Sequence, residues 1–233
     1  MERKLSRQEA SDAVGGHGWR YILGALQTSV PAGSMAQGAA LAAEAVAVCG
    51  DDADGHLWVD VRPGRVLLTL QSLAHAAVTS LDVDLACRVS AAMRAAGSPA
   101  DPGAGTGEGR SVQLLEIAID ALDIAGVRPF WNAVLGWTDE AGADGPEDPL
   151  VDPERQGPAV WFQRMDRARP QRNRIHLDIS VPHDEAPRRI EAALAAGGRL
   201  VSASRAPAFW VLADKEGNEA CVTTWQGRDG AGS

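Results

Sequence analysis

The second half of the chain reads as one pattern written twice. "LLEIAIDALDIAGVRPFWNAVLGW" runs strand, Asp, helix and then Gly136, and "NRIHLDISVPHDEAPRRIEAALAAGGRLV" runs strand, Asp, helix and then Gly197-Gly198. Each copy next reaches a turn and a strand, "DPERQGPAVWFQ" in the first and "DKEGNEACVTTW" in the second. Glu116 and His176 stand 60 positions apart (176 − 116), and Asp152 and Asp214 stand 62 apart (214 − 152). Near-equal offsets link the strand starts to the turns. A unit of this length is too long for a solenoid repeat, and two copies are too few for an array, so the pattern implies a duplicated strand-helix-strands module.

What precedes it is set apart by "AAGSPADPGAGTGEGRS", where Gly, Pro, Ala and Ser replace any hydrophobic period and backbone entropy outweighs packing. The expected division is therefore a first domain over 1–95, a linker over 96–111 and a second domain over 112–228. "TDEAGADGPEDP" lies inside the second domain between apolar segments and reads as a surface loop. In the first domain, Ser6 followed by Glu9 has the spacing of a capping box and predicts a short helix. "WRYILGALQTSV" favours a strand, and Ser34 to Cys49 an Ala-rich helix packed on a sheet, with apolar residues on most of its faces. "HLWVDVRPGRVLLTLQ" gives two strands around Arg62-Pro63-Gly64-Arg65. "TSLDVDLACRVSAAMRAAG" closes the domain as a helix with Thr79 as N-cap and Leu81, Leu85, Val89 and Met93 at helical spacing. The order predicts an α+β domain, an antiparallel sheet with helices on one face.

Composition narrows the function classes. A net charge of −9 argues against a nucleic-acid partner, because phosphate binding requires clustered Lys and Arg. "MERKLSRQEASDAV" lacks the apolar core of a signal peptide, and no run approaches the roughly 20 apolar residues that span a bilayer, so a cytoplasmic protein without a membrane partner is expected. Cys49, Cys87 and Cys221 are odd in number and widely spaced, and read as reduced thiols rather than a disulfide framework or zinc knuckle.

Over Val112 to Trp225 the chain resembles the glyoxalase and bleomycin-resistance, or vicinal oxygen chelate, superfamily, through "FWNAVLGW", "AALAAGGRLV" and above all "FWVLADKEGNEACV". The resemblance implies paired βαβββ modules curled around a cleft. In metal-dependent members four side chains from the first and last strands of the modules hold a divalent ion. Their places here fall on Glu116, His176, Trp161 and Cys221, with Gln163 on the same strand face as Trp161. Tryptophan cannot ligate, and a lone cysteine is an odd replacement for a hard carboxylate, so neither metal nor cofactor is expected. Trp161, Gln163, Trp210 and Cys221 then become candidates to line a pocket for a small molecule, with core filling as the alternative for the tryptophans. Glu116 interrupts an apolar strand, so burial with a raised pKa and His176 as partner across the cleft would suit it to proton transfer; a solvated place at the cleft rim is the other reading.

Over Leu5 to Met93 the chain resembles pterin-4a-carbinolamine dehydratase, through "WRYIL", "AAEAVAVCG", "VDVRPGRVLLTLQS" and "VTSLDVDLACRVS". Fusion of two such domains is familiar among actinobacterial proteins. That family uses a His-His-Pro motif and a third histidine as acid and base. Here the motif falls on Gly55, His56 and Leu57, and the third position on Leu73, with His75 two residues later. The resemblance implies hydro-lyase chemistry carried by His56, with His75 as a substitute, and Trp58 as a flat face for a heteroaromatic ligand. The alternative for His56 is a surface imidazole bonded to the Asp51-Asp52-Asp54 loop. The competing function is a metal-independent protein that sequesters a hydrophobic small molecule, as bleomycin-resistance proteins do, in which the first domain makes a homo-oligomer. A biosynthetic enzyme using Glu116 and His176 is the third.

Overall fold

The computed structural model describes residues 2–103, 112–169 and 175–227. They form two compact units, Met1–Leu114 and Leu115–Ser233.

In the first unit, helix α1 (Arg7–Val14) starts with the predicted capping box. The Glu9 N–H donates to Ser6 Oγ at 3.2 Å and the Ser6 N–H to the Glu9 carboxylate at 2.8 Å. The segment expected as one strand is a hairpin, β1 (Arg20–Ile22) and β2 (Ala25–Pro31). Leu23 and Gly24 break it, both with positive φ, a conformation that glycine adopts freely and leucine does not. Helix α2 (Met35–Cys49) follows, capped by Ser34, and a single turn, α3 (Ala53–His56), delivers the chain into β3 (Leu57–Arg62). Pro63-Gly64 turns it into β4 (Arg65–Leu70), and Thr79 caps α4 (Ser80–Ala95).

The strands pair antiparallel in the order β1-β2-β4-β3. Leu26 and Val30 of β2 and Val66, Leu68 and Leu70 of β4 alternate onto one face. There they share a core with Val14 of α1, Leu41 and Ala45 of α2, and Leu85, Val89 and Met93 of α4. One stripe of α2 is fully covered, Gly38, Leu41, Ala45 and Cys49, with Ala42 and Val48 partly buried beside it, while Met35 and Val46 face outward. Of the expected linker, residues 104–111 lie outside the described residues. The part before them is docked on the unit: Ser98 N–H bonds Met93 O at 3.0 Å, and Asp101 exchanges bonds with Ser29, N–H to O at 2.7 Å and Oγ to Asp101 O at 2.8 Å.

The second unit is the predicted duplication. The first module runs β5 (Glu116–Ala121), α5 (Ile124–Leu135), β6 (Thr138–Asp139), β7 (Leu150–Val151) and β8 (Ala159–Arg164). The second runs β9 (Asp178–Ser180), α6 (Ala186–Ala195), β10 (Arg199–Arg205), β11 (Phe209–Ala213) and β12 (Glu219–Thr223). In each module the first strand lies parallel to the last, in sheets β5-β8-β7-β6 and β10-β11-β12-β9. Ala118 pairs with Trp161 and Asp178 with Cys221, so both partners shift by 60 between modules (178 − 118 and 221 − 161). The acidic stretch after Thr138 is the loop between β6 and β7.

The turn aspartates repeat too. Asp152 accepts N–H bonds from Glu154, Gln156 and Gly157 at 3.0, 2.9 and 2.7 Å. Asp214, fully buried, accepts from Glu216 and Asn218 N–H, each at 2.9 Å, and from the Trp131 indole at 3.1 Å. One core serves both modules, with Val127, Phe130, Trp131 and Val134 of α5 against Ala193 of α6, Leu212 and Val222. The guanidinium of Arg189 on α6 closes the end of α5 by donating to the Val134 and Leu135 carbonyls at 3.3 and 2.7 Å.

Candidate functional site

In the first unit the chemistry gathers around His56. The β3–β4 ladder continues past its strand ends, with Gln71 N–H on His56 O and Leu73 N–H on Gly55 O, both at 2.9 Å. This sets the residues that match the histidine motif beside the segment that carries His75. His56 is 8% exposed, not a surface imidazole, and its partner is not the Asp51-Asp52-Asp54 loop. Its Nδ1 lies 2.8 Å from Oδ1 of Asp82, which is fully buried in the first turn of α4. The other oxygen of Asp82 accepts from the Thr79 N–H at 2.7 Å and the Thr79 hydroxyl at 2.8 Å. An ionised carboxylate only accepts, so Nδ1 carries the imidazole proton and Nε2 keeps its lone pair.

Nε2 looks toward Glu2, whose Oε1 is 3.8 Å away. Glu2 arrives on an N-terminal arm laid along the start of α4: Leu5 N–H bonds Val78 O at 3.0 Å, and Ser80 N–H bonds Arg3 O at 2.9 Å. Burial opposes ionisation of Glu2, but the polar contacts with Ser72 and Thr79 and the electrostatic pull of the His56 and His75 rings outweigh it and hold the carboxyl below its ordinary range. His75, half-buried, sits on the turn closed by the Ser72–Ala77 bridge. The structure thus brings His56 to the Glu2 carboxylate, on which His75 acts only through its electrostatic pull. Leu73, where the resemblance expected the third histidine, is 45% exposed. Trp58 does not join this group. Leu57, Val59 and Val61 of β3 pack on the helical core, so alternation places Trp58 on the sheet's other face, while His56 turns to the start of α4.

Two members of the cluster were missed from the sequence. Asp82 stands three residues after the N-cap Thr79, the spacing of a capping box, which could have flagged a buried carboxylate. Glu2 had no local signal.

In the second unit, alternation turns Ile117, Ile119 and Ala121 to the core and leaves Glu116, Ala118 and Asp120 on the open face of the sheet. Trp161 and Gln163 share that face; Trp161 is half-buried, and Gln163 is exposed. On the matching face of the second module, Cys221 pairs with Asp178, and Ser180 Oγ meets Thr223 Oγ1 at 2.7 Å. Glu116 is exposed rather than buried, and no hydrogen bond or ion pair joins it to His176 among the described residues. His176 is also exposed and precedes β9. The carboxylate near Glu116 is Glu140, whose carboxyl is pushed up by its own burial and by Glu116 against the opposing charge of Arg155. Trp210 packs on the core with Leu212 and is not on the open face.

Residues 116–223 match the family model described as "Glyoxalase-like domain". The second unit is a glyoxalase-like domain. Solved structures similar to it include a glyoxalase/bleomycin resistance protein/dioxygenase family enzyme from Burkholderia phytofirmans, with 17% identity over 48% of this chain and 98% of that one, TM-score 0.38. A glyoxalase/dioxygenase from Nostoc punctiforme shows 12% identity over 50% of this chain and 98% of that one, TM-score 0.38. A fosfomycin resistance protein from Listeria monocytogenes, solved with manganese(II) and 1S,2S-dihydroxypropylphosphonic acid, shows 13% identity over 49% of this chain and 90% of that one, TM-score 0.38. No curated protein matches the chain.

The glyoxalase-like domain does not offer a divalent ion the four expected donors. Trp161 has no ligating atom. Burial, together with a hydrogen bond to the Asp178 carboxylate and that carboxylate's charge, pushes the Cys221 thiol up to about 11, so an ion there would have to displace a tightly held proton. Glu116 and His176 alone are two solvated groups. The three cysteines are free thiols. Among the described residues no helix is long and apolar enough to cross a membrane.

Proposed function

We propose that the chain is a small-molecule hydro-lyase whose first unit dehydrates a 4a-hydroxytetrahydropterin or a related carbinolamine. The observation that supports it is the Asp82–His56 pair, a buried carboxylate on Nδ1 at 2.8 Å that leaves Nε2 as a base in the correct tautomer. Dehydration breaks the C–OH bond and forms a C=N bond, so one group protonates the departing hydroxyl to water while another takes the proton from the adjacent ring nitrogen. His56 performs one transfer, and His75 or Glu2 beside it performs the other. Neither Gly55 nor Leu57 moves a proton, so the site works with fewer imidazoles than the family motif.

The test is the rate of loss of a 4a-hydroxytetrahydropterin with purified full-length chain. Acceleration over buffer that disappears in His56→Ala, with the circular dichroism spectrum unchanged, is the expected result; no acceleration by the wild-type chain overturns the reading.

A second reading is favoured by the donor set of the glyoxalase-like domain. Without four ligands, the open face around Trp161 and Gln163 suits metal-independent binding of a small hydrophobic or heteroaromatic molecule, as in bleomycin-resistance proteins. Thermal stabilisation by such a ligand, insensitive to a chelator and lost in Trp161→Ala, is its expected signature.

A further inference from the structure

We propose that Glu2 and His56 hold a divalent cation of the zinc type, with His56 Nε2 and the Glu2 carboxylate as the protein ligands and water in the remaining positions. The ligand atoms of Glu2, His56 and Asp82 all lie within 4.8 Å of one another. The 3.8 Å between Nε2 and Glu2 Oε1 is too long for a hydrogen bond. It is the span of an ion between them, because two bonds of about 2.0–2.2 Å each reach at most about 4.3 Å.

Asp82 supplies the arrangement common behind metal-bound histidines. Its carboxylate accepts a hydrogen bond from Nδ1–H, fixes the ring and aims the Nε2 lone pair away from itself, toward Glu2. Charge points the same way. Two carboxylates converge on one imidazole where His56 is 8% and Asp82 0% exposed, and an imidazolium balances only one of them. A mixed nitrogen and oxygen set with so few oxygens suits zinc, cobalt or nickel, and neither calcium nor magnesium.

The inference stands apart from the dehydratase reading and competes with it for one atom. An ion on Nε2 occupies the lone pair that acid–base catalysis needs, so dehydration belongs to the metal-free chain and a bound ion inhibits it.

Untagged, chelator-stripped full-length chain is titrated with Zn(II) by calorimetry and with Co(II) by visible absorption. One ion per chain is expected. Removing a ligand should weaken binding at least about 10-fold in Glu2→Gln and about 100-fold in His56→Ala, the range that even outer-shell partners command. Cys221→Ser and His176→Ala should leave it unchanged. Glu2 lies on the arm outside the core, so Glu2→Gln reports even if His56→Ala unfolds the unit. The proposal is overturned by no binding at millimolar metal, by wild-type affinity in Glu2→Gln, by loss on Cys221→Ser, or by equal affinity for Mg(II).

Discussion

Replacing Asp82 with asparagine changes one atom's chemistry at the centre of the first unit. The wild-type carboxylate is fully buried and accepts three bonds, from Thr79 N–H, the Thr79 hydroxyl and His56 Nδ1–H. Bonds to a charged acceptor contribute roughly 1.5–3 kcal/mol and neutral ones roughly 0.5–1.5, so three of them lose about 3 kcal/mol in all, and relief of a buried charge offsets part of this. A net loss of about 2 kcal/mol corresponds to a fall of about 8–16 °C in the melting temperature of a unit of this size. The amide also reverses the imidazole. With its oxygen kept on Thr79, its NH2 faces Nδ1, which must then accept, so the proton moves to Nε2 and the base is lost. Urea unfolding of the first unit measures the stability, and long-range 1H–15N spectra of histidine-labelled chain read the tautomer. Dehydration, if present in wild type, should fall by about 10²-fold or more. A wild-type imidazole protonated at Nε2, or an asparagine variant within 0.5 kcal/mol of wild type (roughly the scatter of neutral substitutions), refutes the reasoning.

Two further outcomes follow from the glyoxalase-like domain. Trp131→Phe removes the indole bond to the buried Asp214, which anchors the β11–β12 turn, and should cost about 2 kcal/mol in the unfolding of the second unit while the first unit's transition stays put. The Cys221 thiol, raised from 9.0 to about 11, should resist iodoacetamide in the folded chain at pH 8, and Asp178→Asn should speed its labelling. Because the folded state holds that proton more tightly than the unfolded one, stability is kept below about 9 and falls as pH rises from there toward about 11; a rise over that window in an alkaline denaturation series contradicts the assignment.

The duplication was legible because its signals are local. Turn aspartates, Gly136 after a helix and strand alternation each depend on a few consecutive residues, and their 60-position offset survives as the register of Ala118–Trp161 and Asp178–Cys221. The capping box at Ser6 and the N-cap at Thr79 are of the same kind. Glu116 stays open between burial and a solvated rim in the sequence, because a carboxylate amid isoleucines has no face until alternation assigns one; β5 is covered on one side only, and Glu116 is on the other. For Trp210 the sequence offers pocket lining or core filling, and the strand pairing that turns it inward, opposite Val222, is not a local property.

The sequence by itself determined most of the elements, the two-part division and the duplicated module of the second unit. Only the tertiary structure decided what surrounds His56. Its neighbours Glu2 and Asp82 lie 54 positions before it and 26 after it (56 − 2 and 82 − 56), beyond the reach of any helical or strand period. An N-terminal arm and a helix cap converge on it because the sheet and α4 share a core, and that convergence makes a lone histidine an oriented, charge-coupled group.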